Sequence, residues 1–376
     1  MRIWIPTTRE PMPDGADSAT AVLEIDLSAV VANWQYLCRQ HSGGQVGAVV
    51  KADAYGLGAA AVAQALAKAG CETFFVATLA EALALRRVLP RERIIALNGL
   101  AVGHEEAFVG HNIIPALASL PEVAAWRAMA RRANRRLPAV LHIDTGLSRL
   151  GLPREEFAAL AADLSWLEDL ELVLAMTHLV SAERPDDPMN ARQQADFAAA
   201  CALLPPVPRS FANSSGIFLG PAFGSDLARP GAALYGINPT PNRPNPMRGV
   251  VRLLAQVLQI RNLPPGASVG YNATWRAERP SVIATLGIGY ADGWPRALSG
   301  RSAAFFDGRP ALLVGRISMD LLCCDITELP PLRPGAWAEL IGPNIPVDRV
   351  AEAAGTIAYE LLTRIGPRVR RREIQA

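Results

Sequence analysis

Residues 47–58 read GAVVKADAYGLG, and residues 59–70 continue AAAVAQALAKAG. The opening apolar run has strand character, and Gly56 and Gly58 mark a turn. The Ala-rich stretch behind them carries a helical pattern that Gly70 stops. Together they make one βα unit, with Lys51 at the carboxyl end of its strand.

The same alternation recurs along the next part of the chain. Strand candidates are 73–77 (TFFVA), 94–97 (IIAL), 113–117 (IIPAL), 139–143 (AVLHI), 172–176 (LVLAM), 210–212 and 232–235. Helical patterns lie between them at 79–88, 121–136, 155–163 and 191–204. About eight βα repeats over roughly 200 residues predict a (β/α)8 TIM barrel rather than an open sheet. Residues 238–246 (NPTPNRPNP) cannot continue a helix or a central strand. The domain boundary is therefore expected there. Beyond it, short apolar runs at 250–260, 281–288, 302–306, 311–314, 321–326 and 336–341 are separated by Gly and Pro. The predicted fold is α/β: an extension over 1–20, the barrel over 21–244 and a mostly β domain over 245–376. Residues 347–365 look partly helical, and the Arg-rich tail reads as a solvated, frayed end.

Composition narrows the function classes. The 376 residues are 50% apolar and 19% charged with net charge +2, an ordinary globular balance that speaks against disorder and wholesale nucleic-acid binding. No uninterrupted apolar run is long enough to span a membrane. The five cysteines show no metal spacing and suit a reduced, cytoplasmic protein, with Cys323 and Cys324 read as neighbours in a strand. Of the 37 basic side chains only Lys51 and Lys68 are lysines, so chemistry needing a primary amine has two candidates.

Lys68 lies inside an Ala-rich helix with no chemical setting. Lys51 ends a barrel strand, where barrel active sites are built. In an apolar setting its amine would lose its charge more easily and become nucleophilic, which a guanidinium cannot do. Three further groups fall at later strand ends: Arg149 after HIDTGLS, placed to clamp a carboxylate; His178; and the small-residue turn ANSSG with Ser214, a phosphate seat. The run Arg229–Pro230–Gly231 is read as opening the last strand. Each is weak alone. Four at successive strand ends of one barrel are not.

These residues carry a resemblance. Residues 51–58 (KADAYGLG), 144–151 (DTGLSRLG), 229–236 (RPGAALYG), 270–274 (GYNAT), 287–296 (GIGYADGWPR) and 314–320 (VGRISMD) resemble, in order, the motifs of alanine racemases. The matches span residues 20 to 365. The resemblance implies a barrel followed by a β domain, pyridoxal 5'-phosphate as cofactor, and a homodimer whose active sites are shared between protomers. It implies interconversion of L- and D-alanine by two bases, supplying D-alanine for peptidoglycan. Lys51 would hold the cofactor and act as one base, and Tyr271 of the other protomer would be the second. Tyr55, Ser214, Gly231 and Ala232 would bind the phosphate. Arg229 would face the pyridine nitrogen, and His178 would link Arg229 to Tyr271. Arg149 and the partner's Met319 backbone would hold the substrate carboxylate, with Tyr290 and Arg296 at the entryway.

Two positions depart from the family pattern. His142 stands where relatives often have a carbamylated Lys that orients the nearby Arg, so no negative charge is available to hold Arg149. Pro367 stands where relatives carry a phosphate-contacting Tyr. Rival readings keep parts of this picture: a serine or broad-spectrum racemase, a lone-barrel pyridoxal-phosphate carrier, or a decarboxylase. The β domain carrying Tyr271 and Met319 argues against the carrier. Arg229, where decarboxylases place a carboxylate, argues against the last.

Overall fold

The computed structural model describes residues 19–374. The extension expected over 1–20 lies, but for Ala19 and Thr20, outside the described residues. Seven parallel strands follow one another in the first domain: Ala48–Val49, Thr73–Val76, Arg93–Ala96, Ile113–Leu117, Leu137–His142, Leu170–Met176 and Arg209–Ser210. The eighth, Leu227–Ala228, pairs in parallel with Gln45–Val46. The Arg229 N–H donates to the Ala212 carbonyl at 2.9 Å on the other side, so the ring closes. The strands are short and buried on both faces, which is why they read as continuous apolar runs.

Helices cover the barrel, and their starts were written into the chain. Ser119 caps Leu120–Arg132, with Pro at the head and Arg131 and Arg132 in the last turn. Thr78 and Glu81 form a capping box on Leu79–Arg86. Phe74 and Phe75, fully buried on opposite faces of one strand, and Phe108 and Trp126, packed edge to face at 6.0 Å, belong to one continuous core. Each contributes roughly 1.5–3 kcal/mol by burial.

The second domain is an eight-stranded sheet in the order Ser281–Leu286, Leu322–Asp325, Arg309–Val314, Ala303–Phe306, Trp337–Ile341, Val251–Leu263, Ala21–Asp26, Arg370–Ile374. The long strand Val251–Leu263 shifts register between Val257 and Gln259 and also pairs with Ser281–Leu286. Cys323 and Cys324 sit in one of these strands, and both are free thiols.

Three expectations are corrected. Residues 232–235 form a turn of 3-10 helix, not a strand, so Arg229 follows the last barrel strand instead of opening it. The strand Ala21–Asp26, counted with the barrel, lies in the β sheet between Val251–Leu263 and Arg370–Ile374. The Arg-rich tail is that last strand. Its Arg371 donates to the carbonyls of Gly56, Ile365, Gly366 and Val369, and Arg372 pairs with buried Glu24.

Candidate active site

The residue after Lys51 begins an uncommon piece of backbone. Ala52, Asp53, Ala54 and Tyr55 have φ of 51°, 53°, 53° and 58°, a left-handed turn made entirely of residues with a Cβ. Such residues cost about 1–2 kcal/mol each in this region, so neighbours must hold them. Several do. The Ala54 N–H donates to the Val50 carbonyl at 2.9 Å, the Gly58 N–H to the Asp53 carbonyl at 2.9 Å, and the Ala59 N–H to Asp53 Oδ1 at 2.7 Å. At Gly56, with φ +85°, a Cβ would come within 2.6 Å of the Leu362 carbonyl oxygen. Only glycine allows the second domain to approach this closely.

The turn swings Tyr55 back over the barrel mouth. Its ring packs against Tyr235 at 4.8 Å and against Tyr359, from the helix Ala358–Thr363, at 6.0 Å. Its hydroxyl lies against Gly231, where a Cβ would sit 2.4 Å from Tyr55 Oη. Burial pushes this phenol up to about 12, so it is a hydroxyl donor at neutral pH. Ser214 Oγ, also buried, accepts the N–H groups of Gly231 at 3.0 Å and Ala233 at 3.2 Å. Tyr55, Ser214, Gly231 and Ala232 thus form one cradle.

Arg229 is buried beside it. Its guanidinium donates to Ser210 Oγ and the Thr177 carbonyl, which lock its orientation. Burial lowers it to about 10, which leaves it charged at neutral pH. His178 and His142 face that charge. Burial first, then Arg229 and Arg149, hold His178 down at about 3. Burial and Arg229 hold His142 at about 4, against the opposing pull of Asp144. Both imidazoles are neutral, and His142 Nδ1 is a buried polar atom without a partner among the described residues. Burial and then Arg149 depress the Lys51 amine, with Glu81 opposing.

Arg149 stands on a tight loop. The Asp144 carboxylate accepts the N–H groups of Gly146, Leu147 and Ser148 at 2.9, 3.0 and 3.1 Å, fixing the backbone that carries it. Its side chain is exposed at the mouth. Among the described residues no hydrogen bond or ion pair is made by its guanidinium.

A cavity of about 980 Å³ brings Lys51, Tyr55, Arg149, His178, Ser214, Arg229, Gly231 and Ala232 together. His142, Asn98, Glu183 and Tyr359 also line it. Tyr359, whose hydroxyl donates to Glu183 at 3.3 Å, was not singled out from the sequence. Nothing in the local pattern of its helix points to a barrel mouth more than 300 positions earlier in the chain. A second cavity, about 590 Å³, lies at the seam between the domains and contains none of the residues singled out.

The remaining candidates stand elsewhere. Tyr271, Met319 and Tyr290 are 67%, 53% and 44% exposed, Arg296 is exposed, and none of the four lines the Lys51 cavity. Their three loops are packed on one another. A Cβ at Gly270 would lie 2.9 Å from the Arg316 nitrogen, and one at Gly289 2.3 Å from the Met319 carbonyl oxygen. The N–H groups of Tyr290 and Ala291 donate to the carbonyls of Ser318 and Met319 at 3.1 and 2.9 Å. The β domain therefore presents Tyr271, Tyr290 and Met319 on neighbouring loops.

Comparison with known proteins matches both halves. The model described as "Alanine racemase, N-terminal domain" covers residues 25–239, and that described as "Alanine racemase, C-terminal domain" covers 250–373. An alanine racemase of Acidiphilium cryptum is 55% identical over 349 residues, 93% of this chain and 97% of that one. A catabolic alanine racemase of Mesorhizobium japonicum is 47% identical over 362 residues, 96% of this chain and 94% of its own. The crystal structure of the Bartonella henselae alanine racemase, with covalently bound pyridoxal phosphate, superposes with TM-score 0.91 at 43% identity, covering 95% of this chain and 100% of that one.

Proposed function

The chain belongs to the alanine racemase family, and from that premise we propose how its own residues share out the interconversion of L- and D-alanine. The family's cofactor is pyridoxal phosphate, and the cavity fits it. An amine with depressed basicity, a hydroxyl and N–H cradle for a phosphate, a locked guanidinium and an unpartnered imidazole nitrogen converge there. When bound, the cofactor supplies an electron sink that loosens the proton on the substrate Cα.

Lys51 Nζ holds the cofactor and moves a proton at one face of the Cα. Arg cannot replace it, because a guanidinium does not give up its proton at working pH. Tyr271 Oη of a second copy moves a proton at the opposite face. Tyr55, Ser214 and the backbone of Gly231 and Ala232 bind the phosphate. Arg229 orients the ring end and keeps its charge. His178, neutral beside it, passes that orientation on toward Tyr271. Arg149 binds the substrate carboxylate with the partner's Met319 backbone, and Tyr290 and Arg296 guard the approach. The observation that carries this reading is the convergence of Lys51, Arg149 and Arg229 on the phosphate cradle in one cavity.

The same reading makes the protein a homodimer of the cytoplasm. The free cysteines suit a reducing compartment, and among the described residues no helix is long and apolar enough to cross a membrane. The exposed loops of Tyr271, Tyr290 and Met319 are the part of the site that one chain leaves outside its own cavity. D-Alanine for peptidoglycan is the proposed use of the product.

The test is absorption spectroscopy of the purified protein with circular dichroism of L-alanine and L-serine. A cofactor band that disappears in Lys51→Ala is expected, with alanine racemised faster than serine. A band unchanged in Lys51→Ala would overturn the assignment, and faster serine turnover would shift the substrate. A mixture of Lys51→Ala and Tyr271→Phe chains, dissociated and reassembled, should recover about a quarter of wild-type activity, since half the dimers carry one intact shared site. No recovery would place Tyr271 in the same chain as its Lys51.

A further inference from the structure

Three helices that lead away from the barrel mouth carry Glu at their third position: Glu81 in Leu79–Arg86, Glu122 in Leu120–Arg132 and Glu156 in Arg154–Ala162. A glutamate there ordinarily closes a box on its own helix start. These three reach further. Glu122 accepts from Ala118 N–H at 2.9 Å before its own helix and from Leu100 N–H at 3.3 Å in the preceding βα loop. Glu156 accepts from Leu120 N–H at 2.6 Å, again in the preceding unit. Glu81 splits its two oxygens. Oε2 accepts from Ala77 N–H at 2.7 Å and Thr78 N–H at 3.3 Å, while Oε1 accepts from Ala52 N–H at 2.8 Å.

Ala52 is the first residue of the left-handed turn, and Lys51 immediately precedes it. We propose that Glu81 is a positioning residue of the racemase reaction: its carboxylate ties this strained turn to the next βα loop and so fixes where the Lys51 amine points. The proposal rests on Lys51 being the reacting amine. Its physical basis is the turn itself. Four consecutive residues with a Cβ in the left-handed region stay there only while their surroundings over-determine them. Of the hydrogen bonds holding the turn, those to Val50, Asp53 and Ala59 come from the same loop. Glu81 supplies an anchor from a different βα unit at the lysine end. Arg371 supplies another at Gly56, the far end. The carboxylate also lies close enough to Lys51 to favour its protonated form, against burial and Arg149.

Glu81→Gln separates the two roles of the side chain. The amide has one acceptor oxygen, so either Ala52 N–H or Ala77 N–H would meet an NH2 donor. Thr78→Ala removes only the cap that receives the Glu81 N–H at 3.3 Å. Glu156→Gln breaks the same kind of bridge between loops that do not carry the lysine. In the holoenzyme, Glu81→Gln should lower kcat about tenfold with KM within about twofold, the pattern of a misplaced group rather than a lost substrate contact. Hydrogen exchange of residues 50–58, followed by mass spectrometry, should speed up by about tenfold. Thr78→Ala and Glu156→Gln should leave both readouts at wild type. Exchange at 50–58 unchanged in Glu81→Gln, or a kcat loss reproduced by Thr78→Ala or Glu156→Gln, would overturn the proposal. If Glu81→Gln does not fold, Glu81→Asp, one methylene too short to span both loops, is measured in its place with the same expectations. Failure of the Lys51 assignment shows separately, as a cofactor band and activity surviving in Lys51→Ala.

Discussion

The two domains treat their share of the site in opposite ways. The barrel buries its residues: Arg229 and Ser214 are almost inaccessible, His142 and His178 are held neutral, and the turn after Lys51 is strained and pinned. The β domain leaves Tyr271, Tyr290 and Met319 exposed on loops that brace one another. A buried group can be tuned by desolvation, and burial is the first cause of the shifts at Lys51, His142, His178 and Arg229. An exposed group keeps water as its environment until something docks on it. The difference teaches that the barrel half is prepared by folding, while in the proposed homodimer the β-domain half is prepared by assembly.

The largest effect tests the barrel half. Lys51→Arg keeps a cation but removes the amine that can lose its proton, so turnover should fall by about 10⁴ or more. The cofactor absorption band should go with it, while the urea midpoint stays near wild type. Retained turnover would sink the division of roles at its root. Tyr271→Phe tests the other half. A drop of roughly 10²–10⁴ in kcat is expected, the range for a lost proton-transfer group. Because the side chain is exposed in one chain, thermal unfolding of the monomeric fold should move by less than about 0.5 kcal/mol. A large stability loss from this hydroxyl would contradict the picture of a half-site waiting for assembly.

A pH series compares the halves without substitution at a reacting group. His178 and His142 have folded values of about 3 and about 4, against an ordinary 6.5. Above pH 6.5 both states are neutral and neither histidine affects stability. Below it the unfolded chain takes up protons that the fold refuses, so stability falls as pH drops from 6.5 toward 4. The slope is at most about 1.4 kcal/mol per pH unit for each histidine. Urea unfolding at pH 6.5, 5.5 and 4.5 should therefore show a shallower loss in His142→Asn than in wild type, whose carboxylates provide the common background. Parallel curves would mean that the imidazole is already charged in the fold.

Much of this arrangement was legible in the chain, for identifiable reasons. The barrel strands are buried on both faces, so they read as apolar runs, and strand ends are where Gly and small polar residues collect. That placed Lys51, Arg149, His178 and Ser214 at one end of one barrel, and the structure gathers them in one cavity. What could not be read was set by distant partners. Leu227–Ala228 is too short to stand out beside the apolar run at 232–235, where the backbone instead coils behind Gly231. The strand Ala21–Asp26 has an apolar pattern that says nothing about which sheet it joins. The left-handed turn contains alanines, which carry no mark of positive φ. Its anchors, Glu81 and Arg371, are 29 and 315 positions away from the residues they hold.

Arg371 is the last and smallest lever on the comparison, because it bridges the two halves. It sits in the sheet of the β domain, yet its Nε donates to the Gly56 carbonyl at 3.0 Å, on the turn that carries Lys51. Its other nitrogens serve Ile365, Gly366 and Val369 at 2.7, 3.1 and 3.2 Å, near the end of the helix that carries Tyr359. A planar fork with five donors can satisfy four carbonyls at once, and an ammonium of the same charge cannot. Arg371→Lys should therefore cost about 1–2 kcal/mol of stability, the scale of one or two backbone acceptors left short. The effect on turnover should be smaller than that of Glu81→Gln, since Gly56 is the end of the turn remote from Lys51. Denaturant unfolding and kcat measured on the same preparation check both numbers. A kcat loss exceeding that of Glu81→Gln would mean that the β domain, through its final strand, also prepares the barrel half of its own chain.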